Sequence, residues 1–218
     1  MATPRPSVSQ EVFLEAALAI ADEFGPDALT TRTLGNAVGL DATTVYRYFG
    51  SKDVLLGRLY DYVIGKAIAT CEKVQGAPRD RIRAYVAAYR SAFSAHPNTS
   101  RLNSHFGDML ISGQSEAPNS AHISRLVVDA IREMGLTGRP LALAYQMIET
   151  FVAGASLLDS GARSRGMTVR LARIKAMDPG GFDSAVTDQT IVAELSEEAF
   201  WLTFDQILAT IDDWARST

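Results

Sequence analysis

The chain has 218 residues, 47% of them hydrophobic and 21% charged, and its formal net charge of −4 excludes a basic protein that coats nucleic acid by charge alone. That length and apolar content suffice for more than one core, while no run reaches the ~18 to 20 apolar residues of a membrane span. Cys71 is the single cysteine, which leaves no intrachain disulfide and no thiolate metal cluster; a buried small apolar role is expected for it rather than a redox role.

Residues 1–6, MATPRP, form a short polar arm without the apolar stretch of a signal peptide, so a cytoplasmic protein is expected. Phe13, Ala17, Ile20 and Phe24 then repeat at the spacing of one helical face, and Gly25-Pro26 stops that helix. From Leu29 to Leu56 the chain reads as a helix, a three-residue break and a second short helix. Thr30 can cap the first of these, with Leu34, Ala37 and Val38 on its inner face. Gly39 ends it because glycine accepts the left-handed conformation of a sharp exit; Leu40 turns inward and Asp41 supplies the acceptor that starts the next helix. Val45 and Phe49, four apart, fall on the inner face of the second helix. Its outer face carries Thr43, Thr44, Tyr46, Arg47 and Tyr48, hydroxyls, phenols and a guanidinium that can contact phosphates and base edges. Two short helices around a glycine turn also occur as plain packing units, but here a full helix precedes them. Gly50-Ser51-Lys52-Asp53 caps and opens a fourth, leaving Lys52 in its first turn.

At Leu29-Thr30-Thr31-Arg32 with Leu34, at Gly39-Leu40, at Thr44-Val45-Tyr46-Arg47-Tyr48-Phe49, and at Ser51-Lys52 with Val54-Leu55, the chain resembles the tetracycline-repressor (TetR) family of bacterial one-component transcription regulators. The resemblance is specific over about the first quarter of the chain. It implies that Tyr46, Thr44, Tyr48 and Lys52 touch phosphates, that Arg32, Thr43 and Arg47 read bases, and that Thr31 belongs to the same DNA-contacting set. The alternative roles are half-buried aromatics with a wet hydroxyl for Tyr46 and Tyr48, and a solvated cap residue for Lys52. Gly35 departs from the family pattern by standing where a helix-favouring alanine is common. It is expected to cost on the order of 1 kcal/mol of helix propensity and to soften the supporting helix. Gly50 is a second departure, at a position where proline or a polar residue often precedes Ser-Lys. Between Met1 and Asp53, Arg5, Arg32, Arg47 and Lys52 face Glu11, Glu15, Asp22, Glu23, Asp27, Asp41 and Asp53, an excess of three negative charges. Weak non-specific and comparatively selective DNA binding is therefore expected.

Past Lys52, helical patterns alternate with turn chemistry. A linking helix runs from Val54 to Val74 and is broken by Gly76-Ala77-Pro78. Ile82, Val86, Tyr89 and Phe93 mark the next, which His96-Pro97 ends. Ser100 to Leu110 reads as a shorter helix, and residues 112–118 as a loop. Ile123, Leu126, Val127, Ala130, Ile131 and Met134 mark a helix closed by Gly135. With no repeat and no alternating strand pattern, the fold class is all-α: an N-terminal three-helix helix-turn-helix DNA-binding domain, residues 1–51, and a larger helical ligand-binding and dimerisation domain, residues 52–218.

Two late helices are apolar on two faces. Residues 141–158 carry Leu141, Tyr145, Ile148, Val152 and Ala155 on one stripe and Leu143, Met147, Phe151, Gly154 and Leu158 on another. In residues 190–214, Phe200, Phe204, Ile207, Ile211 and Trp214 line one face, and Ile191, Leu195 and Leu202 another. Two apolar faces need two partners, and Ala153, Gly154, Ala155 and Ser156 would allow close approach. The family resemblance implies a homodimer through these helices; the alternative is that both faces are used within one subunit. Between them, Arg163, Arg165, Arg170, Arg173 and Lys175 form a run without acidic residues, read as a solvated connection rather than an anion-binding patch.

The resemblance also implies an unknown small-molecule ligand among the central helices, with an apolar lining from Phe93, Leu102, Phe106, Met109, Met147 and Phe151 and polar anchors at Asn103, His105 and Gln146. His96, His105 and His122 lack metal-ligand spacing, so neither a metal nor another cofactor is expected. The expected function is a homodimeric regulator, a repressor released by that ligand from a palindromic double-stranded operator, with no catalysis. Two rivals remain: a helical dimer that binds a protein partner through the same exposed helix, and an all-α enzyme using His105 with Asp108 or Glu149, for which no nucleophile is placed.

Overall fold

The computed structural model describes residues 9–102, 117–159, 172–173, 176–177 and 189–217, and among them every regular element is helical. The long elements are α1 (Gln10–Phe24), α2 (Thr31–Val38), α3 (Ala42–Phe49), α4 (Lys52–Cys71), α5 (Pro78–Ala95), α6 (Pro118–Glu133), α7 (Gly138–Asp159) and α8 (Gln189–Ser217). Short 3₁₀ turns occupy Pro26–Ala28 and Thr99–Leu102. That second turn stands where a longer helix to Leu110 was expected, and residues 103–116 lie outside the described set. So do the N-terminal arm and all of the basic run except Arg173, which is exposed.

The chain forms two compact units: Met1–Thr70 with Ser91–His122, and Cys71–Arg90 with Ile123–Thr218. The first is organised around α1. Phe13 is fully buried, its ring 4.9 Å from Tyr48 and 5.9 Å from Phe49, so α1 packs directly on the inner side of α3. The buried face of α1 is Phe13, Leu14, Ala17, Leu18 and Ala21. The expected stripe was therefore rotated too far: Ile20 is half-buried and Phe24, the last residue of α1, is 65% exposed. In α2, Leu34 is buried as expected but Ala37 is exposed and Val38 half-buried, because Gly35 rather than Ala37 faces the turn. Further along, α4 buries Leu55, Leu56, Leu59, Tyr60, Val63 and Ile64, and Tyr60 stacks 5.1 Å from Phe93 of α5.

The second unit has a continuous core from Ile82, Tyr85 and Val86 of α5, Val127, Ala130 and Ile131 of α6, Ala144, Ile148 and Val152 of α7, and Phe200, Phe204, Leu208 and Ile211 of α8. Cys71 is buried against this cluster, and burial pushes its thiol above the ordinary range, so the thiolate needed for redox chemistry is disfavoured. Between α7 and α8, Phe151 meets Phe200 at 4.8 Å and Phe204 at 6.1 Å. Arg79 bonds Asp212 at 2.5 Å, and Arg83 pairs with Asp205 while lying 4.2 Å over the Trp201 ring, so cations on α5 fasten α8. The second apolar stripe of α7 is only partly covered, with Leu143 44% exposed; on α8, Leu202 is 62% exposed.

Candidate nucleic-acid interface

The turn between α2 and α3 is built by local chemistry. Thr30 and Thr33 cap α2 reciprocally: Thr33 N donates to Thr30 Oγ1 at 3.0 Å and Thr30 N to Thr33 Oγ1 at 2.9 Å. The Thr33 hydroxyl also donates to Ala28 O at 2.9 Å, fixing α2 to the turn before it. Gly39, at φ 71°, ends α2 in the left-handed region that its lack of Cβ permits. Leu40 N then donates to Gly35 O at 2.8 Å. Asp41 opens α3, accepting from Thr44 N at 2.8 Å and from the Thr44 hydroxyl at 3.2 Å. The Thr44 amide, first among these donors, holds the Asp41 carboxyl below its ordinary range.

Gly35 corrects the expectation that it merely softens α2. It is buried, and a Cβ placed there would lie 2.6 Å from Leu40 O, 3.3 Å from Asp41 C and 3.4 Å from Ala42 N. The α2–α3 turn passes so close to α2 that no side chain fits between them.

With Val45 and Phe49 buried, α3 presents Thr43, Tyr46 and Arg47 outward, Tyr46 being 61% exposed. Arg32 is exposed on α2 and Thr31 half-buried in its first turn. Tyr48 is half-buried against Phe13, and the half-buried Thr44 has its hydroxyl turned to Asp41. Lys52, exposed at the start of α4, donates from Nζ to Asp27 O at 3.1 Å, leaving ammonium protons for another acceptor. Ser51 is the cap of α4, accepting from Val54 N at 3.2 Å.

Of the expected ligand-pocket residues, Phe93 and Leu102 are buried in the first unit. Met147 and Phe151 are half-buried in the second, and Gln146 there is exposed, donating to Thr150 at 2.9 Å. Asn103, His105, Phe106 and Met109 lie outside the described residues, as does Asp108 of the enzymatic rival.

Two fastenings in the first unit were absent from the sequence reading. His96 Nδ1 lies 2.7 Å from Asp22 Oδ2 while Asn98 Nδ2 donates to Ala21 O and Asp22 O, both at 3.2 Å, holding the segment after α5 on the end of α1. Asp61, only 5% exposed on α4, accepts from the backbone and side chains of Asn119 and Ser120 in the first turn of α6. A carboxylate set among Leu59, Tyr60, Val63 and Ile64 was the available signal, since a buried charge requires donors. No His, Cys, Asp and Glu group suited to a metal occurs among the described residues, and no described helix is long and apolar enough to cross a membrane.

Residues 13–59 match the family model described as bacterial regulatory proteins, tetR family. The HTH-type transcriptional repressor DrrR1 of Streptomyces coeruleorubidus is 28% identical over 153 residues, 70% of this chain and 54% of that one. The chain thus spans little more than half the length of the curated relatives it matches. Among solved structures, the transcriptional regulator SCO7222, a TetR from Streptomyces coelicolor, has a TM-score of 0.73 at 20% identity, covering 94% of this chain and 98% of that one. The TetR family protein ActR of the same organism, solved in complex with actinorhodin, has a TM-score of 0.69 at 22% identity, covering 95% and 98%. Both share the fold. The helix-turn-helix geometry, the matched segment and the repressor relatives agree: residues 13–59 are similar to the bacterial regulatory proteins of the tetR family, and the chain shares the fold of solved TetR structures.

Proposed function

We propose that the protein is a homodimeric, sequence-specific DNA-binding regulator, a repressor that a small molecule releases from a palindromic operator. The observation that carries the reading is the outward face of α3, where Thr43, Tyr46 and Arg47 stand on a helix whose start and support are fixed by Asp41, Gly39 and Gly35. In this reading residues 1–51 form the reading head and residues 52–218 the ligand-binding and dimerisation domain. Each subunit lays Ala42–Phe49 in a major groove, with Arg32, Thr43 and Arg47 at base edges and Thr31, Thr44, Tyr46, Tyr48 and Lys52 toward the backbone. Thr44 contributes as an ordered surface, its hydroxyl proton being directed to Asp41.

The exposed Leu143 and Leu202 on α7 and α8 support pairing of these helices with a second copy, which a palindromic site also requires. The ligand-bound state of ActR supports a small-molecule effector, acting here by favouring a dimer whose heads are mis-spaced. As a regulator acting on DNA the protein works in the cytoplasm and catalyses nothing. Selection from a random duplex library at ~150 mM salt, beside a Tyr46→Ala, Arg47→Ala double variant, tests the reading. An enriched palindrome lost in the variant is expected; no enrichment, or enrichment that the variant retains, refutes it.

A further inference from the structure

We propose that a cleft in the first unit is a binding site for a small organic monocarboxylate. It has a volume of about 240 Å³ and lies among Gln10 and Leu14 of α1, Arg58, Asp61 and Tyr62 of α4, and the start of α6 at Pro118 and Asn119.

The charges in its wall decide what fits. Both oxygens of the Asp61 carboxylate are occupied: Oδ1 accepts from Ser120 N and Ser120 Oγ, each at 2.8 Å, and Oδ2 from Asn119 Nδ2 at 3.1 Å and Asn119 N at 3.4 Å. Arg58, one turn back on the same helix, is left out of this arrangement. Its Nε is buried without a hydrogen-bond partner, and the side chain forms no ion pair among the described residues. A guanidinium cannot shed its proton to relieve that cost, and its two Nη atoms, which are not buried and have no hydrogen-bond partner among the described residues, are the donors open to an acceptor in the cleft.

An anion in the cleft accepts from those Nη atoms and offsets the guanidinium charge, and a carboxylate matches them through two parallel hydrogen bonds. Asp61 beside it, with both carboxylate oxygens already accepting, offers no donor to a second anionic charge, which favours a monoanion over phosphate. Leu14, Pro118 and the Tyr62 ring supply apolar wall, so the anion carries a hydrocarbon body. The Tyr62 hydroxyl, only 3.5 Å from Glu15 Oε1 and so weakly held there, and the Gln10 amide are further donors within the same cleft.

The test reads binding directly and is independent of DNA recognition. The full chain is titrated by calorimetry with acetate, hexanoate and benzoate, with benzamide as the neutral isostere and inorganic phosphate as the dianion. Saturable binding of hexanoate or benzoate is expected, with benzamide and phosphate inert. Arg58→Gln weakens that binding about tenfold or more, and Arg58→Lys, which keeps the charge but not the fork, falls between. Thermal melts establish that both variants are folded. Independently of any variant's stability, the Nε–H resonance of Arg58 in the unsubstituted protein shifts on titration with the bound carboxylate. Absence of binding by all three carboxylates at tens of millimolar, equal binding of benzamide, or binding that leaves the Arg58 Nε–H unmoved overturns the proposal.

Discussion

Replacing Gly35 by alanine separates two opposing effects whose sign depends on the α2–α3 turn. On helix propensity alone, Gly35→Ala in α2 stabilises by about 1 kcal/mol. The added Cβ, however, would lie 2.6 Å from Leu40 O. A tolerable carbon–oxygen contact is about 3.2 Å, so about 0.6 Å must be absorbed by backbone, since every near atom belongs to the main chain of residues 40–42. That main chain is held by Leu40 N on Gly35 O at 2.8 Å and by the Asp41 cap on Thr44, so it cannot retreat without loosening both. Overpacking of this kind costs about 1–3 kcal/mol, and release of the bonded turn moves the sum to its upper part. The expected net effect is destabilisation by about 1–2 kcal/mol, a fall of about 4–16 °C in the melting of the first unit. Because α3 begins at Ala42, the same displacement tilts the reading helix, and operator affinity falls with stability. Urea unfolding followed beside operator binding measures both. A variant more stable than the parent, with unchanged operator affinity, would refute the close-approach argument.

Tyr46→Ala and Arg47→Ala, both on the exposed face of α3, are each expected to weaken operator binding about tenfold or more while leaving the melting temperature nearly unchanged; a loss of stability that tracks the loss of binding would make them packing residues. Asp61→Ala strips an acceptor from the buried amides of Asn119 and Ser120 and is expected to cost about 2–4 kcal/mol in urea unfolding, whereas a cost below about 0.5 kcal/mol would show that those donors find water instead. Burial, with the nearby Glu149 carboxylate adding to it, pushes the Tyr145 phenol up to about 12, so between pH 10 and 12 the folded protein holds a proton that the unfolded chain releases. The resulting stability is complete below pH 10 and lost as pH rises through 12; Tyr145→Phe should flatten that alkaline decline, and an identical decline in the variant would locate its cause elsewhere.

Legibility from sequence follows the range of the interaction concerned. Gly39, Asp41, Val45 and Phe49 could be placed because a cap and its helix face are decided within four or five residues, and the structure places all four as expected. The spacing also marked a second apolar stripe on each of α7 and α8, of which Leu143 and Leu202 stand exposed. Phe24 and Ala37 were misplaced because periodicity gives the direction of a face and not its edges, which depend on what packs there. Gly35 was misread for a related reason: its requirement comes from Leu40 O, brought alongside only once Gly39 has turned the chain. Asp61 and Asn119, 58 positions apart, meet only through the packing of α4 on α6, and nothing in either local sequence names the other. The cleft at Arg58 is a consequence of that packing and was invisible for the same reason.

Charge on the first unit bears on how such a head could bind DNA at all. Its exposed cations near α3 are Arg32, Arg47 and Lys52, and part of the donor capacity of Lys52 is spent on Asp27 O. The carboxylate of Asp41 sits at the start of α3, where a positive helix end would otherwise attract phosphate. The acidic residues of α1 are not all free to repel, because Asp22 is engaged with His96 and so holds the segment after α5. With at most three cations per head, the proposed dimer neutralises no more than about six phosphates, and log affinity should fall against log salt with a slope no steeper than about −5. Random duplex should then offer little at ~150 mM salt, and on the proposed reading binding depends on the base-edge contacts of Arg32, Thr43 and Arg47 that only the correct sequence completes. A slope near −10, or tight binding to random duplex at that salt, would mean that cations outside this face carry the affinity and that α3 is not its main source.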